Sequence, residues 1–259
     1  MTVEVVHFNP RRRRPGLLGR ILPRRPLNNF GDLLGPLIVD RIVAERGLIE
    51  PAEHKRLACV GSIMRLTAPG DVVWGSGING KTMSLGAAPH LDVRAVRGPR
   101  TAEALREAGV SVPTVFGDPA LLWARWWPRE SYLTGELLTP VSVVPNHNER
   151  SSYRGSNVID PLGEPHEIIG KIARSEFVCG SSLHGIVLAE ALGIPARLVR
   201  STAEPAFKYD DYYGGTGRPN YSAASSVEEA MAMGGESPPV FDDAALLEAF
   251  PADLWHGNT

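Results

Sequence analysis

Short apolar runs alternate along this chain with segments of helical period. "TVEVVHF", "RLACVGS", "DVVWGSG" and "LDVRAVR" each hold a few apolar residues bounded by glycine, serine or charge, the pattern of short buried strands. Among them, "NNFGDLLGPLIVDRIVAERG" predicts a loop feeding a helix that stops at Gly47, and "GPRTAEALREAGV" predicts a helix with Pro99 in its first turn, Glu103 and Glu107 outward, and Gly109 as its stop. A short strand "TVFGD" and the aromatic "PALLWARWWP" follow. After the polar, proline-bounded "PRESYLTGELLTP" the alternation restarts. "VSVVPNHNE" and "SNVID" read as strands, "EPHEIIGKIARS" as a helix, "EFVCGS" as a strand, "SLHGIVLAEALG" as a helix and "ARLVR" as a strand. "SVEEAMAMGG" and "FDDAALLEAF" predict terminal helices able to pack back on either half. The whole predicts an α/β fold in two α/β halves, residues 1–135 and 136–259.

Composition narrows the class. Hydrophobic residues make up 43% of the 259 and charged residues 22%, enough for a sizeable core. With 27 Lys+Arg against 29 Asp+Glu, the net charge of -2 gives no global pull toward nucleic acid, and none is expected as a partner. Charge is uneven, however: "RRRRPGLLGRILPRRP", residues 11–26, holds seven arginines and no acid. It reads either as a surface loop or as a basic patch for anionic lipid or a phosphorylated substrate. Cys59 and Cys179, each in an apolar run, read as small core hydrophobes in a reducing compartment. The start resembles no signal peptide and no run approaches the about 18 apolar residues that cross a bilayer, so the expected location is cytoplasmic. No cluster has metal-ligand spacing, and no metal is expected.

"GSGINGKT", Gly75 to Thr82, satisfies G-x-x-x-x-G-K-[ST], in which Lys81 and Thr82 would reach phosphate and magnesium. A phosphate loop of that kind must open into a helix. "KTMSLGAAPHLD" is a poor one, with Gly86 and Pro89 close behind, so a glycine turn lining a cleft is the better reading. The strongest local signal is "EFVCGSSLHGIVLAEALGIPARLV": a strand ends at Gly180, Ser181 can cap, a helix follows, and Gly193 and Pro195 stop it before a new strand. Ser182, Leu183, His184 and Gly185 then form a helix's first turn at the carboxyl end of a parallel strand, where ligands of open α/β sheets bind. The turn's free N–H groups suit an anion and His184 adds a proton donor; the alternative is a histidine satisfied in the core.

These residues resemble a known family. "SSLHG" followed by "LAEALGIP", with "NFGDLLG", "GSGING", "RGPRT", "GDPALL" and "FKYDDYYGGTGR", is similar to the polysaccharide pyruvyl transferases, more narrowly to the branch related to the succinoglycan ketal pyruvyl transferase. The resemblance runs in order from Asn28 to Arg218. It implies transfer of the enolpyruvyl group of phosphoenolpyruvate, a co-substrate with no further cofactor, onto two hydroxyls of a sugar. The product is a cyclic pyruvate ketal on a surface or exported polysaccharide. It also implies two Rossmann-like halves facing a cleft, similar to the B-type glycosyltransferase architecture, with the glycine loop as a cleft wall.

Under that resemblance Arg97 is the arginine before the amphipathic helix and His184 the acid, acting on the methylene carbon or on the leaving phosphate. Both are expected to be catalytic; His147, at the end of the first strand of the second half, either joins them by acting on the acceptor hydroxyl or is a solvated turn histidine. Ser181, Ser182, Leu183, Gly185, Arg100 and Lys208 are the expected donor-side residues, guanidinium and ammonium groups suiting phosphate and carboxylate. Asn29, Asp32, Gly77 and Asn79 are the expected acceptor side; Asp32 alternatively caps a helix. Trp123, Trp126 and Trp127 fit helix packing better than sugar stacking. Many relatives carry arginine where this chain has Ser182, so a cation must come from elsewhere, such as Lys208 or Arg218. A lipid-linked acceptor would give residues 11–26 a membrane-facing purpose at the inner face. The other readings are a B-type glycosyltransferase using a nucleotide sugar and a non-catalytic member of a polysaccharide assembly complex.

Overall fold

A computed structural model describes residues 2–13, 23–133, 135 and 138–256. Four parallel strands form the first sheet: β1 (Val3–Val6), β4 (Lys55–Ala58), β5 (Val72–Trp74) and β6 (Asp92–Ala95), in that spatial order. Between β1 and β4 in sequence, β2 (Arg11–Arg12) and β3 (Arg25–Pro26) pair antiparallel as an exposed arginine ribbon. The stretch of the basic run at 14–22 lies outside the described residues. A second parallel sheet holds β7 (Ser142–Val143), β8 (Val178–Gly180) and β9 (Ala196–Leu198).

Period-two alternation explains why both faces are covered. Val3, Val5, Leu57, Val72 and Trp74 enter one core cluster while Val6, Ala58 and Val73 enter another on the opposite face. In the second sheet Val178, Ala196 and Leu198 join that first cluster, and Cys179 and Val199 a third. The largest core therefore runs through both sheets. Its helices supply one stripe each: Leu34, Ile38 and Ile42 of α1 (Leu34–Glu45) recur at four-residue spacing. α1 gives way at Gly47, whose φ of 60° is the left-handed conformation of a helix stop. α2 (Pro99–Glu107) has proline in its first turn, with Glu103 and Glu107 exposed. α3 (Trp123–Trp126) is one turn; Trp123 is fully buried against Trp127, their rings 4.2 Å apart, which makes the tryptophans packing residues. α4 (Pro165–Ala173) precedes β8, and α5 (Leu183–Ala191) is buried from Leu183 through Ala189, at the centre of the molecule.

Two expected strands are shorter than their sequence suggests. "TVFGD" contributes only a bridge between Phe116 and Val96, and "SNVID" one between Val158 and Val143. Each leaves a single bridged pair rather than a strand. α6 (Phe207–Gly215) follows β9, then α7 (Val227–Met233) and α8 (Asp243–Glu248). α8 returns to the first sheet, where the Trp74 indole donates to the Leu246 carbonyl at 2.8 Å and Phe250 packs edge-on against it.

One buried polar network joins the elements around β6. Arg97, just past that strand, and Asp211 on α6 are both fully buried and pair at 3.0 Å. Asp211 also accepts from the Thr101 N–H at 2.9 Å and its hydroxyl at 2.7 Å, while Arg97 donates to the Ile78 carbonyl and the Ser62 hydroxyl. Removing one partner of such a pair leaves an uncompensated buried charge, at about 3–5 kcal/mol. Asp211→Ala should therefore lower the unfolding free energy by about that much in urea denaturation. Arg94→Ala, which breaks half-exposed pairs to Asp92 and Asp253, should cost at most about 1 kcal/mol. Equal losses in the two variants would show that the buried network carries no special weight.

Candidate functional site

The segments that leave the carboxyl ends of β1, β4, β5, β7, β8 and β9 converge on one cavity of about 270 Å³. β1 leads to Phe8, β4 to Ser62 and Ile63, and β5 to Asn79 and Lys81. β7 leads to Asn146, His147 and Asn148, β8 to Ser182, Leu183 and His184, and β9 to Glu204 and Lys208. Asn29, Asp32, Arg65 and the ribbon's Arg12 complete the wall.

Local chemistry holds each loop. Ser182, not Ser181, is the N-cap of α5, accepting from the Gly185 N–H at 3.2 Å. Ser181 is one residue early and instead accepts from the Asn146 N–H at 3.0 Å, tying the β8 turn to the β7 turn. Glu149 accepts from Ser201 and Thr202 and fixes the loop that presents Glu204. Asn79 accepts from the N–H groups of Lys81 and Thr82, and residues 81–91 contain no helix. The glycine loop therefore lacks the helix that a nucleotide phosphate loop requires, and it places Lys81 in the cavity.

The charges in the cavity are arranged in two groups. Glu204 accepts from Lys81 at 2.5 Å and Asn148 at 3.0 Å through one oxygen, and pairs with Lys208 at 3.1 Å through the other. Burial opposes ionisation of Glu204, but the two ammonium groups outweigh it and hold the carboxyl below its ordinary range. Burial pushes Lys208 down, and Glu204 resists that shift. On the other side, Asp32 accepts from the Asn29 amide at 2.7 Å. Burial raises its proton affinity against the opposing effects of Asn29, His184, His147 and Lys208. Burial also lowers His147, which favours the neutral ring, with Asp32 resisting. A carboxyl that binds its proton more tightly and an imidazole that binds it less tightly share one cleft, the arrangement expected of acid–base work.

Of the residues expected from sequence, His184, His147, Ser182, Leu183, Lys208, Asn29, Asp32 and Asn79 line the cavity. Five others do not. Arg97 is enclosed by Asp211 and reaches the cavity wall only through Ser62, so its charge is already matched. Arg100 is half exposed and pairs with Asp210. A side chain at Gly77 would overlap the Arg97 guanidinium, so this glycine makes room for Arg97. Gly185 lies against Val144, which lets α5 approach β7. Ser181 is spent on the Asn146 contact described above. Asp32 caps no helix: the N-cap of α1 is Leu33, without a side-chain bond. Arg218, the other candidate cation, is buried against Glu190 at 2.6 Å. The sequence singles out neither Glu204 nor Arg65, offers Arg12 only as part of the basic run 11–26, and assigns Lys81 only to a nucleotide loop; the family motif "GDPALL" is the one signal for Asp118, whose carboxylate lies 3.6 Å from His184 Nε2. Among the described residues no group of three His, Cys, Asp or Glu side chains is placed to hold a metal, and no helix is long and apolar enough to cross a membrane.

Comparison with known proteins bears on what this cavity is. A family model described as polysaccharide pyruvyl transferase matches residues 64–201, a span that includes Lys81, Arg97, Asp118, His147 and His184. The succinoglycan biosynthesis protein ExoV of Rhizobium meliloti (strain 1021) is 30% identical over 223 residues, covering 80% of this chain and 68% of that protein. In fold, the chain is similar to the crystal structure of the uncharacterized protein KP1_0663 from Klebsiella pneumoniae subsp. pneumoniae NTUH-K2044. That match has a TM-score of 0.50 and 13% identity, and it covers 76% of this chain and 89% of the other. The family match and the identity to ExoV agree, and this chain belongs to the polysaccharide pyruvyl transferase family.

Proposed function

We propose that the donor is phosphoenolpyruvate and that the chain closes a pyruvate ketal on two hydroxyls of one sugar, releasing phosphate. The observation that carries this reading is the pairing, in one cavity, of an acid–base group with a cationic group: Asp32, His147 and His184 beside Lys81 and Lys208. The donor carries a phosphate and a carboxylate, and Lys81, Lys208, Arg12 and Arg65 are the cations that meet them. They answer for the arginine that Ser182 replaces. His184 gives a proton to the methylene carbon, which makes the adjacent carbon oxocarbenium-like. A first sugar hydroxyl adds there and yields its proton to Asp32, whose burial makes it a stronger base and which returns that proton to His184 before the next turnover. The carbon–oxygen bond to phosphate then breaks, the second hydroxyl adds, and its proton leaves by His147 toward the departing phosphate. Protons balance, no redox partner is needed, and no metal or cofactor is assigned.

The finer architecture belongs to the same reading. Residues 1–135 and 136–259 act as acceptor-side and donor-side Rossmann-like halves in a B-type glycosyltransferase arrangement, a reading supported by the convergence of loops from both sheets on one cavity. The exposed arginines of β2 and β3, with Arg12 at the cavity, suit an acceptor carried on an anionic membrane face through a lipid link.

The test is phosphate release from phosphoenolpyruvate with the native polysaccharide, depyruvylated by mild acid, as acceptor, and the ketal methyl signal read by NMR. His184→Ala and Asp32→Asn should each lower the rate by about 10²–10⁴-fold, and Lys208→Met should raise KM for phosphoenolpyruvate. Wild-type kinetics in all three variants would overturn the assignment. A stability measurement on Asp32 is independent of the assay. Its proton affinity is raised above the ordinary 3.8, so as pH climbs past 3.8 the unfolded chain gives up this proton more readily than the folded one, and folding is penalised. The gain in urea stability from Asp32→Asn should therefore grow between pH 4 and pH 7. A gain that does not change with pH would rule out the buried carboxylate as its source.

A further inference from the structure

The His184 ring has two neighbours that the cavity does not explain. Asp118 is fully buried at the N-terminus of the turn Pro119–Leu122, and its Oδ1 accepts from the Ala120 N–H at 3.0 Å. Its Oδ2 is buried without a hydrogen-bond partner, as is His184 Nε2, and these two atoms face each other at 3.6 Å. Each alone would be an unsatisfied polar atom; together they are an acceptor and a potential donor. A lone pair on Nε2 would oppose a carboxylate, so the pairing selects the ring form with its hydrogen on Nε2. The second neighbour is Gly31, in the Phe30–Leu33 turn that also carries Asp32. Its Cα lies so close to the imidazole that a Cβ there would overlap Nδ1, Cγ and the His184 Cβ.

We propose that Asp118 and Gly31 are positioning residues that set the tautomer and aim of His184: Asp118 holds the hydrogen on Nε2, and Gly31, on which a Cβ would overlap Nδ1, leaves room for the ring edge that carries Nδ1. The nitrogen that exchanges a proton with substrate is then Nδ1, and a ring that takes a second proton there keeps a carboxylate as its counter-charge behind it. The same turn thus places Asp32 and admits the imidazole. The part of this inference that concerns substrate rests on the proposed pyruvyl transfer; the tautomer does not.

The experiment is ¹⁵N–¹H correlation spectroscopy of the histidine side chains, with the His184 signal assigned by its loss in His184→Ala and read where the ring is neutral. The wild type should show the Nε2–H form. Asp118→Asn keeps the oxygen that caps the 119–122 turn and should fold; it should shift the population toward Nδ1–H and lower kcat for phosphate release by about tenfold or more, with KM for phosphoenolpyruvate unchanged. Gly31→Ala should displace the ring, seen as a changed ¹⁵N shift, with a similar loss in kcat. An Nδ1–H ring in the wild type overturns the proposal whether or not either variant folds, as does an unchanged tautomer in a folded Asp118→Asn. The expected tautomers in a wild type that does not turn over phosphoenolpyruvate would leave this proposal standing and remove the donor assignment instead.

Discussion

The structure depends most on a charge that has nowhere else to go. Arg97 leaves the first sheet with its guanidinium fully enclosed, and Asp211, from a helix 114 residues later, is its counter-ion. An enclosed guanidinium without that carboxylate would cost about 3–5 kcal/mol, which favours docking α6 where it lies. Docking α6 brings Lys208, three residues before Asp211, to the cavity and sets the far wall that Glu204 completes. Arg97 also reaches Ser62 and the Ile78 carbonyl, so the β4 and β5 loops are fixed from the same centre. The arginine of "RGPRT" thus matters to the site without entering it: it sets distances that other residues use.

Burial then sorts the ionisable groups by what surrounds them. Asp32 and Glu204 are both shielded carboxylates in one cavity, yet they shift in opposite directions. Glu204 has two ammonium groups within ion-pair distance, whereas the hydrogen bond to Asp32 comes from a neutral amide. Glu204 is therefore held toward its anion and Asp32 toward its protonated form.

Local signals in the sequence were strong where structure is local. The turn that carries Ser182 and His184 was legible because its cap, helix and following strand lie within 25 residues, and the failure of "GSGINGKT" as a nucleotide loop was legible in Gly86 and Pro89. What could not be read was pairing across the chain. Nothing near Glu204 points to Lys81, 123 residues away, and nothing near Asp118 points to His184. Arg97 reads as a catalytic arginine for the same reason: its partner Asp211 is named only by the fold. The division of labour between Ser181 and Ser182 failed by one residue, since either hydroxyl can cap and only the contact to Asn146 separates them.

The lysines of the cavity already hold an anion. Glu204 rests between Lys81 and Lys208 on a loop that Glu149 anchors, so its carboxylate is tethered beside both ammonium groups. It is in effect a tethered competitor. An arriving anion gains only the difference between its own contacts and those of a carboxylate that never diffuses away. Any anion that is to reach these two lysines therefore has to displace Glu204 first.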